Sequence, residues 1–211
     1  MTLDRFFPKE SRERVAAAVR QAEAASLGQI VPVVVERSDR YEEVPWMGGV
    51  LLAALATAGA ELSGLGVSAW ELPFVQLGAG LVGALVARLA PVRRLLAGKG
   101  HIEEAVRARA QQAFLEHGLT RTERGTGVLV FASLLEHRAV VLGDHGIHEK
   151  MGDEGWQKGV EALVDGIRRG DPAAGFCDAI AFVGARLAQH FPRPPGAVAV
   201  NELPDELGTR T

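Results

Sequence analysis

Cysteine is almost missing from this chain of 211 residues: Cys177 stands alone, so no disulfide can close within it and nothing requires an oxidising compartment. A dominant charge is missing too. With 23 basic and 26 acidic residues the formal net charge is −3, which gives no global attraction to nucleic acid or to an acidic surface, and nucleic acid is not an expected partner. The opening residues, Met1 to Glu10, lack the apolar run and small-residue cleavage site of a secretory signal, so the N-terminus is expected to stay as made. There is no Gly-x-x-x-x-Gly-Lys and no Gly-x-Gly-x-x-Gly after a strand, which removes the usual grounds for nucleotide binding. Internal repeats and low-complexity tracts are likewise missing.

Apolar residues are plentiful. Mean hydropathy is +0.09 although 23% of the residues are charged, and the excess is local: residues 44 to 60 and 72 to 87 carry no charge. Seventeen helical residues reach roughly 26 Å, a little short of a hydrocarbon layer of about 30 Å, so each segment makes a tight span. The second, richer in Leu and Val, reads as the stronger. Small residues four apart (Gly49 and Ala53, Ala54 and Ala58, Ala79 and Gly83, Gly80 and Ala84) let two helices approach closely. Arg37 and Arg40 precede the first segment, and Arg88, Arg93, Arg94 and Lys99 follow the second. The connection from Glu61 to Glu71 has no Lys or Arg, the asymmetry expected of a hairpin whose ends are cytoplasmic. A pair of buried helices or a homodimer surface is the soluble alternative.

Around these segments the chain reads as one small α/β domain. Val15, Val19 and Ala22 mark an amphipathic helix, with Gly28 available to end it. Ile30 to Val35 is a short β-branched run whose Pro32 asks for an edge or an early position. Ile102, Val106, Ala110 and Ala113 form another helical stripe, stopped by Gly118. Thr126 to Ala132 and Arg138 to Leu142 read as a strand hairpin across Leu134 to His137. Two further helices carry Trp156, Val160, Leu163, Val164 and Ile167, then Phe176, Ile180, Val183 and Leu187. Gly170-Asp171-Pro172 between them supplies stop, cap and first helical residue. The expected fold class is therefore α/β: a small mixed sheet flanked by helices and interrupted by a two-helix transmembrane hairpin. The domain would occupy 1–43 and 91–191, the hairpin 44–90, and a flexible tail 192–211.

Gly125-Thr126-Gly127-Val128-Leu129-Val130, followed by Arg138 to Leu142 and Gly143-Asp144-His145-Gly146-Ile147, resembles the TPM domain family, which includes thylakoid-lumen phosphatase-like proteins and photosystem II repair factors. Gly170-Asp171, Gly175 and Ala179 agree with it, and the resemblance covers residues 9 to 36 and 100 to 190. It implies divalent-cation binding or phosphate-ester hydrolysis, associated with an acidic residue opening the first of those strands and a Glu in the glycine turn. Here Gly125 and Thr126 stand at the first place and His148 at the second, with Glu149 adjacent. Asp144, His145, His148 and Glu149 are the candidate metal ligands, a set suited to zinc if the segment is helical; a solvated polar turn is the other reading. No cofactor is expected, a divalent cation being the one candidate. Ser133 has no base and orienting acid at a telling spacing, and Cys177 lies on the apolar side of a helix, so neither is expected to be a nucleophile.

Three functional readings follow. The first is a TPM-like module anchored in the inner (plasma) membrane, with two spans and cytoplasmic termini, acting non-enzymatically on an unidentified protein partner. The second, implied by the resemblance, is an acid-phosphatase-like hydrolase using a divalent cation. The third is a soluble homo-oligomer burying the apolar segments between chains.

Overall fold

The computed structural model describes residues 7–64, 66–122, 125–151, 154–194, 203 and 205–210. They divide into two compact units, one of residues 1–38 and 105–211, the other of residues 39–104.

The first unit is built on a four-stranded mixed sheet in the order β3-β2-β1-β4. Helix α1 (Lys9–Ala24) leads into β1 (Gln29–Val35). β2 (Gly127–Ser133) runs parallel to β1 with Ile30 opposite Val128, and β3 (Arg138–Gly143) returns antiparallel with Val140 opposite Phe131. Both β1 and β2 are buried throughout, as strands covered on two faces are. Even-numbered Ile30, Val34, Val128 and Val130 join the core with Val15 and Val19 of α1 and Phe176, Ile180, Val183 and Leu187 of the last helix. Odd-numbered Val31, Val33, Leu129 and Phe131 turn to the other face and are buried as well.

The expected helices are present. The stripe Ile102, Val106, Ala110 and Ala113 is buried on the long helix Lys99–Glu116, and Gly118 beyond it takes the left-handed conformation (φ 70°). Trp156 sits in a 3-10 turn, Glu154–Trp156, ahead of Gln157–Arg169. Asp171 then caps Pro172–His190 by accepting a hydrogen bond from the Ala174 amide at 3.0 Å.

Three expectations need correction. Helix α1 ends at Ala24 rather than at Gly28, and Gly28 packs on Leu187 instead. Pro32 lies in an inner strand, tolerated because β4 (Gly208–Arg210) pairs with Val33–Val35 alone, so on that side the ladder begins after the proline. β4 also corrects the flexible tail: residues 208–210 are a parallel strand. Arg193 is fixed too, donating from Nη2 to Glu23 O at 2.8 Å and Ser26 O at 2.9 Å, the carbonyls at the end of α1.

The second unit holds α2 (Glu43–Ser63), α3 (Leu72–Val86) and α4 (Ala90–Ala97). α2 and α3 pack antiparallel through glycine and alanine: a Cβ on Gly48 would lie 2.5 Å from Ala87 Cβ, and one on Gly83 would lie 2.8 Å from Leu52 Cβ. Ala54 and Ala58 are exposed and take no part. Gln76 Nε2 donates to Thr57 Oγ1 at 3.0 Å, and Thr57 donates to Ala53 O at 2.9 Å, so the polar side chains inside the apolar stretch satisfy one another.

Among the described residues one helix, α2, is by itself long and apolar enough to cross a bilayer. The two apolar helices differ in length. α2 accommodates Glu61 and extends to about 31 Å, whereas α3 reaches only about 22 Å at 1.5 Å per residue. Beyond α3 the chain turns by 100° into α4, where Pro91 has no N–H to continue a helix.

Candidate functional site

At one end of the sheet the start of β2 meets the end of β3. The Asp144 amide donates to Gly127 O at 2.8 Å, and Thr126 bridges to the approach of β1, donating from Oγ1 to Leu27 O at 3.0 Å. Gly125 is left-handed (φ 61°), which favours glycine, and lies against the exposed His145 ring, where a Cβ would come within 2.5 Å of Cε1.

The segment after β3 is a helix, His145–Met151, not an irregular turn, so the condition for a zinc-like His pair is met by the backbone. The side chains do not follow for the residues described. Asp144 Oδ1 accepts from the His145 amide at 2.7 Å and lies 3.1 Å from His145 Nδ1, while the imidazole is 80% exposed. The side chains of His148 and Glu149 lie outside the described residues. Among those described, no group of three or more His, Cys, Asp or Glu could hold a metal ion.

A hard divalent cation needs several oxygen ligands, usually including two or more carboxylates. The described rim offers one carboxylate, Asp144, with Oδ2 buried and without a hydrogen-bond partner. The Thr126 hydroxyl is committed to Leu27 and Gly125 has no side chain. The donors described there are fewer than a hard divalent cation takes.

The opposite end of the sheet holds a buried group that the sequence reading passed over. Glu136, in the β2–β3 turn, accepts from the Ser133 hydroxyl through Oε2 and from the Ser38 amide through Oε1 at 2.9 Å. Ser133 is fully buried and ties the turn to the end of β2, while the Ser38 amide ties it to the segment after β1. His137 completes the turn with φ 50°. This carboxylate acts as a clamp on two strand ends, and Ser133 has the place of a structural hydroxyl.

A second missed carboxylate is Glu23. It is buried at the end of α1 and accepts from the Ile30 amide at 2.6 Å. Burial pushes its pKa up to about 7 against the Ile30 hydrogen bond; Asp205 adds to the rise and Arg193 opposes it. Its position was legible, because Glu23 continues the buried spacing of Val15 and Val19. Cys177 is only half-buried on its helix, and its thiol pKa is raised chiefly by burial, the opposite of what a nucleophile needs.

The first unit thus belongs to the class of small mixed α/β sheets with helices on their faces. No family model and no curated protein matches the chain. Among solved structures it is similar to the BA42 protein from the psychrophilic bacterium Bizionia argentinensis, determined by NMR. The TM-score is 0.61 at 18% identity, over 99% of each chain, a likeness of fold alone.

Proposed function

We propose that the chain is a membrane-anchored, TPM-like interaction module, its α/β unit cytoplasmic and non-enzymatic, held by the apolar hairpin α2–α3 in the inner (plasma) membrane. One observation carries the anchoring: among the described residues every exposed large apolar side chain except Leu115 lies between Trp46 and Leu95. Only 6% of the most apolar stretch of α2 is buried. Contiguous exposed apolar surface on that scale calls for lipid or a partner. Trp46 and Trp70, 78% and 70% exposed, stand near the base and near the tip of the hairpin, suited to two interfaces. α2 is long enough for the full layer, and local thinning or tilt serves the shorter α3.

Among the described residues, the one carboxylate at the Gly125–Asp144 rim and the structural roles of Ser133 and Glu136 support the non-enzymatic reading. A soluble homodimer draws on the same exposed surface and is the second reading. Extraction of membranes with alkaline carbonate separates the two. Retention in the pellet is expected for the anchored chain, and full release, with a dimer in detergent-free buffer, would replace it with the dimer. Reporter fusions at Thr211 and near Gly66 test orientation: alkaline phosphatase active at the loop and inactive at Thr211 is the expected pair.

A further inference from the structure

Overall charge gives this protein no attraction to an acidic surface, but α4 concentrates charge locally. Around its axis Pro91, Val92, Leu95 and Leu96 share one arc, and Arg93 and Arg94 lie on the other. Leu95 is 79% and Leu89 57% exposed, so the apolar arc is not used up by packing. Arg88 precedes the helix and is exposed. Two other basic groups of this unit have acidic partners: Arg40 has Glu42 at 3.6 Å and His101 has Asp39 at 3.1 Å. Among the described residues no carboxylate pairs with Arg88, Arg93 or Arg94; Arg93 donates from Nη2 to the Arg88 carbonyl oxygen at 3.2 Å, a neutral acceptor that leaves the charge unbalanced.

The 100° turn between α3 and α4 supplies the geometry. A helix at right angles to one that enters a bilayer lies along the surface. There an apolar arc is immersed among the upper acyl chains while guanidinium groups reach headgroup phosphates. We propose that α4 is an interfacial helix that binds anionic phospholipid headgroups through Arg88, Arg93 and Arg94, with Leu89 and Leu95 in the acyl boundary. This rests on the anchored reading of α2–α3 and adds to it a lipid class and a contact surface. Arginine suits the role because its planar fork meets phosphate oxygens two at a time.

The test uses the full chain with Cys177→Ala and a nitroxide introduced through Leu95→Cys. It is reconstituted into vesicles of phosphatidylcholine alone or mixed with phosphatidylglycerol, and label depth is read from its relative accessibility to oxygen and to a water-soluble nickel chelate. In mixed vesicles the label is expected at the acyl boundary. A shift toward water is expected in phosphatidylcholine alone, in high salt, and in mixed vesicles when Arg88→Gln, Arg93→Gln and Arg94→Gln are combined. Equal depth under all these conditions in protein that floats with both vesicles overturns the headgroup contact and leaves the hairpin anchor standing. Failure to float with either vesicle overturns both. The comparison of lipids and salt needs no arginine substitution, so misfolding of the triple variant does not blur the outcome.

Discussion

Ala53 on α2 and Gly80 on α3 face each other so closely that a Cβ built on Gly80 lies 3.9 Å from Ala53 Cβ. That separation falls inside the range that a disulfide spans, about 3.5–4.5 Å. With Cys177→Ala, the pair Ala53→Cys and Gly80→Cys is expected to oxidise within one chain, giving a faster band on non-reducing gels. Adding Gly83→Val should abolish the cross-link, since even a Cβ there meets Leu52 and the Gly48 carbonyl. Cross-linking that survives Gly83→Val would mean that the two helices do not pack through these glycines.

Glu23 makes stability depend on pH. Its folded pKa, about 7, lies above the ordinary carboxylate value of 4.5, so the folded state holds a proton that the unfolded chain has released. The contribution is complete below about pH 4.5 and is lost as pH rises through 7, roughly 3 kcal/mol across the window at 1.36 kcal/mol per pH unit. Glu23→Gln keeps an oxygen for the Ile30 amide and cannot ionise. Urea midpoints of the two proteins should be close near pH 5 and diverge by about pH 8.5 in favour of the variant. Parallel curves would remove the linkage.

The fold was legible wherever one local signal decided the outcome. The β-branched run at Ile30, the cap at Asp171 and the left-handed glycine at Gly118 act within a few residues, and each forms as read. β4 was not legible, because Gly208–Arg210 has no strand pattern of its own and exists only through pairing with Val33–Val35. The buried Glu136 was hidden for a similar reason: its partners Ser38 and Ser133 are brought to it by the sheet, Ser38 from 98 positions away. Charge-free length did not give the bounds of the apolar helices, since one runs on through Glu61 and the other stops short of Pro91.

Calcium should bind weakly at the Gly125–Asp144 rim. A calorimetric titration of the full chain is expected to show no site with a dissociation constant near micromolar, because Asp144 is the one carboxylate described there. A micromolar site lost in Asp144→Asn would revive the hydrolase reading and require further carboxylate ligands.

The apolar segments should be separable from the α/β unit. They fall in the connection between β1 and β2, and parallel neighbours need a long crossover in any case. No residue of the principal hydrophobic core lies between 39 and 104; its members run from Phe7 to Val34 and from Val128 to Leu207. Closing a loop of different length changes the entropy only logarithmically, so a short linker in place of the hairpin costs little. Replacing residues 44–90 with Gly and Ser leaves Lys99–Glu116 whole, and with it Val106, Ala110 and Ala113, which are buried. The shortened chain is expected to stay in solution without detergent and to melt in one cooperative thermal transition. Loss of that transition, in a comparison where the full chain retains it, would make α2 and α3 part of the folding core and leave the two units inseparable.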